Sequence, residues 1–286
     1  MPPPQGKSQL PAPRPFLKWA GGKRQLLRTI AENLPDGWRD MEYHEPFLGG
    51  GALLFDLMPS RAVVNDMNSE LMNAYEALRS GADRVIGRLS ELEGDLSAER
   101  YYEMRGMDRL PDFKSLPSHE RAARLIYLNR TCFNGLYRVN SRGFFNVPLG
   151  RYANPRILDE AGLLAAARYL NTADVKLLCG DFADAVGLAG GGSLVYLDPP
   201  YHGSSGNFTS YQSGGFGEPE QERLREVFGE LTRRGARCLL SNADTPFIRR
   251  LYRGRGFRIV PVQASRAINS RGEGRGKVGE VLVRNY

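Results

Sequence analysis

The chain has 286 residues, 41% of them hydrophobic, which is enough for one large domain, or one domain with a sizeable insert, around a normal core. Lysine and arginine outnumber acidic residues by 39 to 32, a net charge of +7 that points to a polyanionic partner. No stretch approaches 18 consecutive apolar residues, so no membrane span is expected; the three widely spaced cysteines, Cys132, Cys179 and Cys238, argue against a disulfide framework or a zinc site and are each expected to be small buried residues in a reducing cytoplasm.

Six of the first fifteen residues are proline and none forms an apolar signal region, so residues 1–15 read as a disordered tail. Phe16-Leu17-Lys18-Trp19-Ala20-Gly21-Gly22-Lys23 then brings an aromatic ring, two glycines and a lysine to the start of a helix expected over 23–33. By its chemistry this is an anion-binding turn, with Lys23 facing a carboxylate such as that of methionine, or else a plain helix start. An apolar run at 42–48 reads as a strand and leads into Glu45-Pro46-Phe47-Leu48-Gly49-Gly50-Gly51. These glycines allow a tight turn and close approach of a ligand to the backbone. Their spacing is not the G-x-G-x-x-G of dinucleotide sites, and no lysine or arginine accompanies them. A second strand, 61–65, ends at Asp66, placed to grip ribose hydroxyls. This pairing implies a nucleoside-bearing cofactor with few phosphates. S-adenosylmethionine fits, and a nicotinamide dinucleotide fits less well.

After a helix at 70–79 the strand–helix rhythm breaks. Residues 83–155 offer helices at 83–93, 97–107 and 118–130, then a polar, aromatic, glycine-containing segment, and read as a mostly helical insert between the second and third strands. Helix 158–170 and strand 174–180 follow, the strand ending in Gly180-Asp181-Phe182, where Phe182 can stack on a cofactor adenine and Asp181 can accept from its amino group. A strand at 193–198, helix 218–234, strand 236–242, helix 246–252 and strands 257–263 and 280–285 complete the chain. Alternating strands and helices indicate an open, mostly parallel sheet covered on both faces, with its strands buried on both sides. The last two strands lack an intervening helix and read as a hairpin at one sheet edge.

The most informative residues are Asp198-Pro199-Pro200-Tyr201, directly after the apolar run Ser193-Leu194-Val195-Tyr196-Leu197. The Asp198 carboxylate and the Pro199 carbonyl are two acceptors at one strand tip. The prolines stiffen the turn, and Tyr201 offers a flat face. Two fixed acceptors beside a stacking ring suit an exocyclic amine of a nucleobase. Accepting both N–H bonds returns the delocalised lone pair to nitrogen and favours its alkylation. Of the histidines, none shows ligand spacing, and His202 reads as an exposed loop residue beside this turn.

The positive charge is clustered. Residues 121–156 contain seven arginines and no acid, and residues 249–277 contain eight arginines and Lys277 against Glu273 alone. Two such stretches, far apart in sequence, suggest two sides of one cleft.

Taken in order, the segments 16–23, 45–51 and 198–201, with the insert before the last, resemble the Dam-type DNA adenine-N6 methyltransferases that modify GATC, over nearly the whole chain from Phe16 to Tyr286. The resemblance implies a seven-stranded Rossmann-like α/β sheet of the S-adenosylmethionine-dependent methyltransferases, with the catalytic domain in 16–82 and 156–286 and a mostly helical target-recognition insert in 83–155. It implies cofactor contacts at Trp19, Lys23, Asp66 and Asp198, with the turn of Phe47, Gly49 and Gly51 beneath the methionine and Asp181 and Phe182 at the adenine. It makes Asp198 and Pro199 the acceptors of the target amine and Tyr201 the stacking ring, with no metal. The segment 134–140, with 145–148, is similar to the family's GATC-reading hairpin, which implies DNA contacts by Asn134, Leu136, Arg138, Asn140 and Pro148, Arg138 reading the outer guanine. The partner implied is double-stranded DNA, from which the target adenine is flipped, bound by a monomer in the cytoplasm. Methylation of RNA or of a cytosine N4 amine is the competing chemistry, and a DNA-binding regulator without catalysis the competing class. A dehydrogenase fails on the missing glycine fingerprint.

Overall fold

In the computed structural model, which describes residues 10–21, 23, 25–203, 216–254, 256–265 and 277–286, seven strands pair into one sheet. They are β1 (Glu42–Glu45), β2 (Arg61–Asp66), β3 (Asp174–Cys179), β4 (Ser193–Leu197), β5 (Arg237–Ala243), β6 (Arg258–Ser265) and β7 (Lys277–Arg284). Their order across the sheet is β3-β2-β1-β4-β5-β7-β6. The first five are parallel, with Tyr43 beside Ala62 and Leu194, and β7 runs antiparallel to both β5 and β6. The expected hairpin is therefore present, with β7 wedged between β5 and the edge strand β6.

Alternation along the strands divides the core. On β4, Leu194 and Tyr196 face one apolar cluster, whereas Val195 and Leu197 face the other. All five β4 residues are buried, as a strand covered on both sides requires. β3 departs from that expectation. It is a sheet edge on which Val175 is buried but Lys176, Leu178 and Cys179 are exposed. Cys179 is thus not the buried residue expected, although Cys132 and Cys238 are.

Helices α1 (Leu27–Glu32), α2 (Ala52–Leu57), α3 (Ser69–Glu93), α4 (Ala98–Gly106), α5 (Ser118–Thr131) and α6 (Glu160–Thr172) precede β3. α7 (Phe182–Ala185), α8 (Glu218–Arg233) and α9 (Pro246–Leu251) follow it. α1 starts four residues later than expected, and ahead of it Leu26 N–H bonds to the Lys23 carbonyl at 2.8 Å. β1 stops at Glu45, before Pro46, which has no N–H for a ladder. The two helices expected at 70–79 and 83–93 run on from one another through non-helical backbone at Gly81. Leu89, Tyr101 and Leu125 of the 83–155 segment share one apolar cluster with Tyr43 and Val64 of the sheet, so this segment is packed into the main core.

Residues 1–9 of the expected tail lie outside the described residues. Its later part is held by the fold, since Arg14 pairs with Asp159 at 2.7 Å. Among the described residues no helix is long and apolar enough to cross a membrane.

Candidate active site

The strand order reverses direction between β1 and β4, and open α/β sheets bind ligands in the crevice at the carboxyl ends of strands flanking such a point. Three carboxyl groups stand there: Glu45 ends β1, Asp66 ends β2 and Asp198 follows β4. Burial pushes all three up from the usual carboxylate range, Glu45 to about 8, where its neighbours Asp198 and Asp66 add to the rise. The cation among them is Lys23, whose Nζ lies 2.9 Å from Asp198 Oδ1. It also donates to the Gly21 carbonyl at 2.7 Å and sits 4.6 Å from the centre of the Tyr201 ring. Lys23 therefore faces a carboxylate of the chain itself in this structure.

The glycine turn has its shape for steric reasons. Gly49 and Gly51 adopt φ of 52° and 67°, the left-handed region that glycine enters without a Cβ clash. A Cβ on Gly49 would come within 2.8 Å of the Trp19 ring, and one on Gly51 within 2.6 Å of the Tyr75 hydroxyl. Trp19 thus lies directly over the turn, and it stacks on Tyr137 at 5.3 Å. Asp66 buttresses the same turn, its Oδ2 accepting from Gly49 N–H and its Oδ1 from Asn68 N–H, both at 2.9 Å. Phe47 stacks on Phe182 at 5.1 Å and meets Phe216 edge-on at 5.8 Å. Asp181 caps α7 through Ala183 N–H at 2.9 Å and binds the Arg223 guanidinium with both oxygens, which holds its carboxyl below the usual range. Arg223 in turn lies 4.6 Å over the Phe182 ring. The structure thus brings Trp19, Lys23, Phe47, Gly49, Gly51 and Asp66 to one crevice, and gives Asp181 a partner that its sequence position does not announce.

At the Asp198-Pro199-Pro200-Tyr201 turn, Asp198 Oδ1 accepts from Lys23 and from the Ser241 hydroxyl at 2.9 Å. Among the described residues no hydrogen bond falls on Oδ2. The Pro200 carbonyl is taken by Gln221 Nε2 at 2.8 Å, whereas among the described residues no hydrogen bond reaches the Pro199 carbonyl. Asp198 exposes 17% of its side chain. His202 is not the exposed residue expected. It is half-buried, stacked on Phe247 at 4.6 Å, and hydrogen-bonded to Thr245 and Glu218.

Residues 132–149 fold back on themselves through the bridges Cys132–Leu149 and Val139–Phe145. Asn134 is exposed at φ 56°, and Pro148 is exposed while its carbonyl accepts from Phe133 N–H at 2.9 Å. Leu136 packs on the core. Arg138 donates from Nε to Asn146 Oδ1 at 2.7 Å. The Asn140 Oδ1 is spent within the turn, accepting from Arg142 and Phe144 N–H at 3.0 Å each. This hairpin is tied to the N-terminal segment by Asn129, which bonds both the N–H and the carbonyl of Lys18 as well as the Gly135 carbonyl.

The arginine-rich stretch divides in two. Arg121 is committed to Glu70, Arg124 is buried against Asp108 at 3.0 Å, and Arg130 donates to the Phe16 carbonyl at 2.8 Å. They hold the fold together and do not line a cleft. Arg142 and Arg151 are exposed and form no ion pair among the described residues. Much of the second stretch, including 266–276, lies outside the described residues.

The model of the D12 class N6 adenine-specific DNA methyltransferases matches residues 19–268, which spans both the glycine turn and the Asp198 turn. The chain belongs to that family. It is 42% identical to the type II methyltransferase M1.LlaDCHI of Lactococcus lactis subsp. cremoris, across 96% of this chain and 95% of that one. Similarity to the type II methyltransferase M.MjaIII of Methanocaldococcus jannaschii is 40% identity, over 96% and 99% of the two chains. The DNA adenine methylase of Escherichia coli K12 is 38% identical over 94% of each chain. In this D12 class methyltransferase, sequence reasoning missed Ser241, Asn242, Gln221 and Glu280, which contact the Asp198 turn from other elements. One signal was available: Ser241-Asn242 places two polar residues at the tip of an apolar strand run, where burial demands partners.

Proposed function

We propose that the protein transfers a methyl group from S-adenosylmethionine to N6 of adenine in duplex DNA, within GATC. The observation that carries the cofactor assignment is the buried carboxyl trio Glu45, Asp66 and Asp198 with Lys23 as its cation. Such a site suits a ligand with net positive charge and disfavours the pyrophosphate of a dinucleotide. The cradle of Gly49 and Gly51 under Trp19 gives that ligand close backbone approach. When bound, S-adenosylmethionine supplies a methyl group on a sulfonium, already a good electrophile. The glycine turn and Lys23 would hold its methionine end, Asp66 its ribose, and Phe47, Phe182 and Asp181 its adenine, with Arg223 sharing Asp181.

The target amine is held by Asp198 Oδ2 and the Pro199 carbonyl while Tyr201 stacks on the base. Much of the rate enhancement comes from this alignment. Because a stacked adenine cannot reach a turn set in a crevice, it leaves the helix. Arg138, steadied by Asn146, reads the outer guanine, and Asn134, Leu136 and Pro148 lie near the other bases. Asn140 retains its amide nitrogen for DNA. The exposed Arg142 and Arg151 hold phosphates. The GATC assignment is supported by the close match of 134–140, with 145–148, to the Dam-type hairpin. Acting on duplex DNA, the protein works in the cytoplasm, as a monomer, with 83–155 as its recognition insert.

The test is transfer of labelled methyl from S-adenosylmethionine to a GATC duplex, beside the same duplex already N6-methylated on both strands, a duplex with GATC scrambled, and RNA. Incorporation in the unmethylated GATC duplex alone is expected. Equal incorporation in the scrambled duplex would remove the GATC assignment, and transfer to RNA alone would remove the DNA reading.

A further inference from the structure

Asp198, Pro200, Tyr201 and His202 are each gripped from outside the turn. Ser241 of β5 donates to Asp198 Oδ1 at 2.9 Å and is itself bonded to the Tyr196 hydroxyl at 2.8 Å. Gln221 of α8 donates to the Pro200 carbonyl at 2.8 Å, and its own carbonyl accepts from Asn242 Nδ2 at 2.9 Å. Asn242 Oδ1 then accepts from His202 N–H at 3.1 Å. Glu280 of β7 accepts from the Tyr201 hydroxyl, Oε2 to oxygen at 2.9 Å. Ser241, Asn242 and Gln221 are fully buried, and Glu280 is 7% exposed.

Burying a carboxylate in a sheet costs stability unless a specific partner offsets it. Glu280 stands beside Ala243 on one neighbouring strand and Val262 on the other, a setting in which an apolar residue would pack well. Tyr201 is what it gains. A tyrosine ring pinned at its hydroxyl as well as at Cβ has its plane fixed, and a fixed plane is what stacking on an extruded base requires.

We propose that Glu280 is a positioning residue for methyl transfer: it fixes the Tyr201 ring through the hydroxyl, while Ser241 and the Gln221–Asn242 pair fix the rest of the turn. This rests on the reading of the turn as the adenine-binding site. On this account the antiparallel β5–β7 pair belongs to the active site even though it contributes no group that touches the base.

The experiment compares Glu280→Ala, Glu280→Gln, Tyr201→Phe and the double variant Tyr201→Phe/Glu280→Ala in steady-state transfer to the GATC duplex. Glu280→Ala is expected to lower kcat about 10–100-fold while moving KM for DNA and cofactor less than about 3-fold, the pattern of misplacement. Glu280→Gln keeps an acceptor and should recover most of that loss. Tyr201→Phe should match Glu280→Ala, and the double variant should be no worse than either. Wild-type kcat in Glu280→Ala, or losses that multiply in the double variant, would overturn the proposal. If Glu280→Ala does not fold, a loss in Glu280→Gln as large as that of Tyr201→Phe overturns it. The ring-carbon resonances of Tyr201, assigned by Tyr201→Phe, report the contact without turnover: Glu280→Gln should leave them in place, and loss of the acceptor should shift and broaden them. Absence of transfer by the wild-type protein would count against the proposed function alone, and the resonances would still decide the role of Glu280.

Discussion

Asp198 sits where burial and a cation oppose one another: desolvation raises its pKa, and Lys23 and Ser241 pull it part of the way back. Replacing it with alanine should abolish methyl transfer yet leave most DNA affinity, since phosphate contacts supply that affinity; a gel-shift titration beside the transfer assay separates the two, and retained turnover would refute the role. Arg138→Ala should relax discrimination at the outer base pair by roughly 1–3 kcal/mol, read as the ratio of kcat/KM between GATC and outer-pair variants. Glu45 allows a test of the site's electrostatics without substrate. Its folded pKa of about 8 lies above the ordinary 4.5, so the unfolded chain gives up the proton first. The stability that this group contributes is full below pH 4.5 and is lost as pH rises towards 8. Glu45→Gln removes that dependence and keeps an acceptor for the Tyr43 hydroxyl. Its melting temperature should therefore draw ahead of wild type across that interval, by the equivalent of on the order of 3–5 kcal/mol at the top. Parallel melting curves from acid to alkaline pH would show that the carboxyl is not held neutral.

At the scale of elements, the entry to α2 shows how one backbone conformation serves fold and site together. Gly51 is the residue before the helix, at φ 67°, with the Tyr75 hydroxyl where a Cβ would go. Gly51→Ala should cost about 1–3 kcal/mol from the strained backbone alone, visible as a lower melting temperature, and should weaken cofactor binding in calorimetry because the turn shifts. An unchanged melting temperature would mean that the turn tolerates a side chain. The three glycines made this turn legible in the sequence, as the β-rich run made the Asp198 tip legible. Of the clamp behind that tip, Ser241-Asn242 left a signal and Gln221 and Glu280 left none. Gln221 lies 20 residues beyond Tyr201 and Glu280 another 59, and a lone glutamine in a helix or glutamate in a strand ordinarily reads as a solvated face.

At the scale of the molecule, the charge of +7 overstates the surface available to DNA. Arg121, Arg124 and Arg130 are used inside the protein and the exposed Arg156 pairs with Asp159, which leaves Arg142 and Arg151 as the exposed cations of that stretch without an ion pair among the described residues. Alanine at either should weaken binding evenly across DNA sequences and lower the slope of log K against log salt by about 1, whereas Arg121→Ala should lower the melting temperature and leave that slope unchanged. A slope that responds to Arg121 instead would reverse the division.

The sequence by itself determined the alternation of strands and helices, the antiparallel hairpin at one sheet edge, the glycine turn and the acidic strand tips. All of these follow from short-range rules: hydrophobic period, the absence of a Cβ, the missing N–H of proline. Only the tertiary structure decided that Lys23 meets Asp198 across 175 residues, that Arg223 claims Asp181, and that half-buried His202 is pinned rather than exposed. It also decided that β3 is an exposed edge and that Glu280 holds Tyr201. These are pairings between residues far apart in the chain. They depend on which strands become neighbours and in which register, and no local spacing carries that information.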